Sequence, residues 1–172
     1  MKAYATLLAL ASCGALTLGS PLRAQSLVGN WLVQPQVDPL TDEATVMLST
    51  PDMETNSWLI VACGESGRAL AVSWVATFAT GDSLDVAFRF DAEPATAAEK
   101  WSVTRQRFAD TAGTVAQPPN SRMVPMLLLM TVSERFVVRA YEDPDDGGDE
   151  YTAIFDVSGF TEALARCEAL GV

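Results

Sequence analysis

Leu84-Asp85-Val86-Ala87-Phe88-Arg89-Phe90 alternates with period two: Leu84, Val86, Phe88 and Phe90 fall on one face, Asp85 and Arg89 on the other. Successive side chains of a strand point to opposite sides of a sheet, so this is a strand with one apolar and one polar face. Gly81-Asp82-Ser83 turns into it and the polar segment Asp91 to Lys100 leads out of it. Upstream, Trp31-Leu32-Val33 begins a first strand, Asp38-Pro39-Leu40-Thr41-Asp42 is a turn, and Thr45 to Thr50 alternates into a second strand. Trp58 to Cys63 is a continuous apolar run, the pattern of a strand buried on both faces. Gly64-Glu65-Ser66-Gly67 then makes a tight hairpin into a strand over Ala69 to Thr77.

Downstream, a short strand is expected around Trp101 to Thr104, with one more strand and a loop over Phe108 to Gln117. Asn120 or Ser121 can cap a helix running to about Thr131, in which Pro125 limits regularity. Met123, Met126, Leu127 and Met130 form its apolar stripe, read as core. Arg135 to Tyr141 alternates as a strand, Asp143 to Glu150 is an acidic tip, and Tyr151 to Val157 completes the hairpin. Gly159 opens a last helix, Phe160 to Leu170, whose apolar stripe includes Cys167. Short strands separated by turns, without βαβ alternation, predict a mainly β fold: an antiparallel β-sandwich or half-barrel with one middle helix and a C-terminal helix.

The first 24 of the 172 residues have the layout of a secretory signal peptide: Lys2, an apolar run Ala3 to Leu18, and Leu22-Arg23-Ala24 at the cleavage site. Residues 25–172 would then form a single β-rich domain, long enough for a real core. Leu10-Ala11-Ser12-Cys13 also has the residue types of a lipoprotein box, so the alternative to a free periplasmic protein is one anchored by lipid through Cys13. Cleavage after Ala24 leaves Cys63 and Cys167, 104 positions apart, to pair in an oxidising compartment and tie the last helix to the run ending at Cys63. No later segment has the length of a membrane span. Without Lys2 and Arg23, nine basic residues face 22 acidic ones, a balance of −13 that argues against nucleic acid and leaves basic proteins, divalent cations and neutral glycans open as partners.

The chain has no histidine, which removes the Ser-His-Asp triad, the Cys-His pair and the usual zinc sites. Carboxylate pairs are the familiar hydrolytic route left, so a cell-wall glycan hydrolase is the enzymatic alternative. The metal candidate is the acidic tip, with Asp143, Asp145, Asp146, Asp149 and Glu150 as oxygen donors for calcium. It is not an EF-hand, because the twelfth position counted from Asp143 is Ile154. A calcium-dependent binding module is thus a further alternative, and no cofactor is expected.

In order and spacing, several segments resemble the small periplasmic proteins associated with type VI secretion, the VasI or TagO-like group. They are Trp31; Asp38 to Val46; Leu59-Ile60-Val61-Ala62-Cys63; Asp85 to Asp91; Phe136 to Tyr141; Ala153 to Phe160; and the helix containing Cys167. The resemblance brings no catalytic residues. It implies a non-catalytic accessory or binding role, through a protein partner in the cell envelope.

Overall fold

A computed structural model describes residues 25–65, 67–75, 78, 81–108, 111–142 and 149–169. Ten strands and two helices follow in chain order: β1 Ser26–Val28, β2 Trp31–Val37, β3 Ala44–Pro51, β4 Trp58–Gly64, β5 Gly67–Trp74, β6 Ser83–Phe90, β7 Glu99–Phe108, β8 Thr111–Gln117, α1 Asn120–Met130, β9 Arg135–Tyr141, β10 Glu150–Asp156 and α2 Phe160–Ala169. All strands belong to one antiparallel sheet, in the spatial order β1-β2-β3-β4-β5-β8-β7-β6-β9-β10. The expected mainly β architecture is therefore present, and its single continuous sheet is the half-barrel form. The chain leaves β5, crosses to β6, and returns through β7 and β8 to pair with β5.

The alternation at Leu84–Phe90 holds: Leu84, Val86, Phe88 and Phe90 are buried, and their partners Phe136, Val138 and Ala140 on β9 are buried beside them. The same inner face continues through Trp31, Leu48, Val61, Leu70 and Trp101 into one contiguous core. Phe88, Phe90, Phe136 and Phe155 cluster in its centre with ring centroids 4.7 to 6.3 Å apart, Phe136 stacking on Phe90 and Phe155 while Phe88 meets Phe90 edge-on. α2 lies against β2 and β3, and α1 against β5. They bury Phe160, Ala163 and Cys167 from α2, and Met126, Leu127 and Met130 from α1, in that core. Cys63 and Cys167 are disulfide-bonded with Cα atoms 6.0 Å apart. A covalent loop of 104 positions contributes about 4–5 kcal/mol by the chain-entropy account.

The sheet is open, yet it coils until β10 meets the end of β3. Asp52 bridges to Phe155 across this seam. The Asp52 carboxylate accepts the Ile154 N–H at 2.8 Å and the Thr55 N–H at 2.7 Å, and the Thr55 hydroxyl also donates to it. Met53 N–H donates to the Ile154 carbonyl at 3.3 Å. Beside this clip, Trp74, Phe78 and Tyr151 form an aromatic chain from β5 to β10, with centroids 5.7 and 4.6 Å apart. Below it, two turns interlock. Gly29 (φ 57°) and Gly159 (φ 77°) face one another in van der Waals contact, both in the left-handed region that favours glycine. Asn30 donates across the same joint to Asp156 at 2.7 Å.

Several expectations need correction. The run Trp58–Cys63 is buried on one face only: Leu59, Val61 and Cys63 point inward, while Trp58 is 39% exposed. No element among the described residues forms a second layer over that outer face, so continuous apolarity there has another cause. α1 starts at Asn120 without a side-chain cap; Pro119 precedes it, and its carbonyl accepts the Arg122 and Met123 N–H groups. Pro125 sits within the helix, at its sixth residue, where it removes the bond that an N–H there would make to the Ser121 carbonyl. β7 is longer than expected, and β1 was not foreseen because three residues are too few for a period. Residues 1–24, with Cys13, lie outside the described residues.

Asp52 is the hydrogen-bonding hub of the seam and is nearly fully buried. Asp52→Ala is expected to lower stability by roughly 2–3 kcal/mol through lost charge-assisted hydrogen bonds and stranded donors. Urea unfolding checks this, and an unchanged midpoint would contradict the seam's role.

Candidate functional site

The outer face of β2 to β5 carries a groove set by the strand register. Its register sets Leu32, Ser49, Ile60 and Ala71 side by side across four strands, with Pro51, Trp58 and Ser73 as the next row. Small residues alternate with large ones, which leaves a groove of about 500 Å³ with walls from Leu32, Met47, Ile60 and Val75. Trp58 forms one side and also lines a neighbouring groove of about 480 Å³ over the seam, next to the exposed Met53 and Leu27. The other three tryptophans, Trp31, Trp74 and Trp101, are at most 2% exposed, so Trp58 alone offers an indole ring to solvent. Ser49 and Ser73 form the floor and are more than nine-tenths buried.

No charged side chain lines the larger groove. Strands β1 to β5 carry a single charged side chain, Arg68, at the entry to β5 and on the α1 side. By contrast, Asp85, Arg89, Arg135, Arg139, Glu150 and Asp156 lie on β6, β9 and β10, on the outer face. Sequence reasoning missed this face. Its signal was available: between Gln25 and Val37, and again between Ala69 and Gly81, the chain has no charged residue.

Two carboxylates reach the seam groove, Asp52 and Asp156. Both oxygens of each are committed: Asp52 as above, and Asp156 to Ser158 N–H at 2.9 Å and the Asn30 amide at 2.7 Å. Acids held in this way act as turn and seam clips. Among the described residues no group of three or more acidic or cysteine side chains converges as a metal site. Of the calcium candidates, Asp143, Asp145 and Asp146 lie outside the described residues. Asp149 offers its carbonyl to Glu142 N–H at 3.1 Å, and Glu150 pairs with Arg139 at 3.2 Å. Nearby, burial pushes the Tyr151 phenol up, helped by Asp149 and Glu142, so it stays protonated.

A second open apolar surface lies on α1. Val124 and Leu128, one turn apart, are 62% and 63% exposed with Leu129 beside them, and Val132, just past the end of the helix, is 80% exposed. Between α1 and α2 a smaller groove of about 250 Å³ is lined by Arg68, Met123, Leu127 and Leu164. The methionine stripe is core as expected, with Met126 and Met130 at 1% exposure. The two leucines flanking it are left outside, with Val124.

These features define a class: a disulfide-stapled, single-sheet half-barrel with uncharged and apolar surfaces left open. The fold is similar to the crystal structure of invasion associated protein B from Bartonella henselae, with a TM-score of 0.58 and 13% identity over 86% of this chain and 97% of that one. No family profile and no curated protein matches the sequence. The disulfide belongs to an oxidising compartment. No helix among the described residues is long and apolar enough to cross a membrane.

The polar landmarks of the sequence are structural joints. Asp91 (φ 47°) accepts the N–H groups of Arg135 at 2.8 Å and Glu134 at 3.0 Å, tying the end of β6 to the start of β9. The Arg135 N–H chiefly holds its carboxyl below the usual 3.8, so the folded state favours the ionised form. That contribution is present above the unfolded value and lost as pH falls through the lower, folded one. Asp91→Asn keeps the acceptor oxygen without the titration. Its stability is expected to fall less steeply than wild type from about pH 4 downward, measured by thermal melts. Parallel curves would contradict this.

Proposed function

We propose that this chain is an exported, non-catalytic accessory or binding protein of the bacterial cell envelope, working in the periplasm of a Gram-negative cell through protein contacts. The observation that carries the reading is the apolar patch formed by Val124 and Leu128 on α1 and Val132 just past its end, left open beside a helix whose other face is sealed in the core. A chain with twice as many acids as bases has ample polar residues for such positions, and exposed apolar patches of this kind mark interaction surfaces. The commitment of Asp52 and Asp156 to fixed donors supports the non-catalytic part.

The finer reading is an accessory of type VI secretion, supported by the ordered segments that resemble the VasI or TagO-like group. In it, joints such as Asp91 and Asp156-Val157-Ser158-Gly159 keep the scaffold, and the surfaces between them do the binding.

In a strain that encodes this chain and a type VI machine, deletion is expected to reduce secretion-dependent killing of a competitor, and the wild-type gene to restore it. Leu128→Asp changes a residue 63% exposed, so stability should move by less than about 0.5 kcal/mol. The variant is expected to accumulate normally and fail to restore killing. Full restoration by Leu128→Asp would overturn the role of the α1 surface, and unchanged killing on deletion would overturn the secretion reading.

A further inference from the structure

We infer that the groove on the outer face of β2 to β5 is a binding site for an uncharged oligosaccharide. Three observations converge there. First, the groove is free of charge in a protein with a balance of −11, while the outer face across β6, β9 and β10 is charged. A ligand bearing carboxylates or phosphates would find no cation in it, and a basic ligand would find no anion.

Second, the floor holds polar groups that the fold does not use. Ser49 is 6% and Ser73 4% exposed, yet neither hydroxyl makes a hydrogen bond to a described residue. Neither is sealed from solvent: the buried, partnerless side-chain atoms are the indole nitrogens of Trp31 and Trp74. Their opening is into the groove. The amides of Gln34 and Asn56 line the same space and are likewise without a described partner. Hydroxyls and amides that open into the groove and that the fold does not use are available to donate to and accept from a ligand.

Third, the exposed indole of Trp58 stands beside those groups. A sugar ring has an apolar C–H face that packs on an aromatic ring and a rim of hydroxyls that both donate and accept. Indole, amides and hydroxyls without charge are the set that satisfies both parts. At about 500 Å³, apolar walls with a few placed polar groups also match the dimensions of small-ligand sites. This surface is distinct from the α1 stripe, so the inference stands apart from the proposed protein contact.

The test uses the protein purified after expression of the full chain. Chitotetraose, cellotetraose and maltotetraose are titrated by calorimetry and by tryptophan emission, with polygalacturonate as the charged control. Since the other tryptophans are buried, an emission shift reports Trp58. At least one neutral tetrasaccharide is expected to bind saturably with an emission shift, and polygalacturonate not to bind. Trp58→Ala is expected to weaken binding at least about tenfold, the scale of losing an aromatic anchor. Trp58→Phe should retain part of the affinity, and Ser49→Ala with Ser73→Ala should lower it without lowering the melting temperature. Absence of binding at millimolar sugar, or binding that Trp58→Ala leaves unchanged, would overturn the inference. So would an emission shift produced by an uncharged leucine-rich hexapeptide and by none of the sugars, which would assign the groove to a protein segment.

Discussion

The bond between Cys63 and Cys167 is the constraint on which the rest of the structure depends. One antiparallel sheet carries one apolar face, and with no second sheet to cover it the face must be sealed by coiling and by helices. Cys63 lies near the end of β4 on the inner face, and Cys167 lies on the buried stripe of α2. Their bond holds α2 over β2 and β3, where Phe160 packs on Trp31 with centroids 5.0 Å apart. With α2 in place, Gly159 and Gly29 meet, Asp156 reaches Asn30, and β10 is carried to the Asp52 clip. A covalent tie therefore organises contacts that lie far apart in the chain.

Coiling has a second consequence. It hides the inner face and leaves the outer face bare, so the outer face records what the protein meets. Charged pairs such as Lys100–Asp85 and Arg139–Glu150 occupy one part of it, as expected for a surface facing water. The part over β2 to β5 has none of this, and instead presents an indole, two amides and two unpartnered hydroxyls between apolar walls. Solubility does not require such a face, and folding does not require Trp58 to stay exposed. Binding does.

Strands with clean alternation were legible in the sequence. Leu84–Phe90 and Arg135–Tyr141 have the burial that their period dictates, because a half-buried strand writes its environment into every second residue. The disulfide was legible from cysteine count and compartment, and α2 from its stripe through Cys167. Trp58–Cys63 misled because an apolar outer face looks the same in sequence whether another layer or a ligand covers it. The Asp52 clip was illegible, since it depends on which strands become neighbours 102 positions apart. The groove was half legible: the lack of charge could be read, but the side-by-side placement of Ser49, Trp58 and Ser73 needed the register.

Amide hydrogen exchange on the oxidised and reduced protein tests the organising role of the Cys63–Cys167 bond most directly. The account predicts that reduction speeds exchange most in α2 and at Ile154 on the seam. The ladder between β6 and β9, around Phe88 and Val138, should keep most of its protection. Equal acceleration throughout the sheet, or unchanged protection in α2, would contradict it.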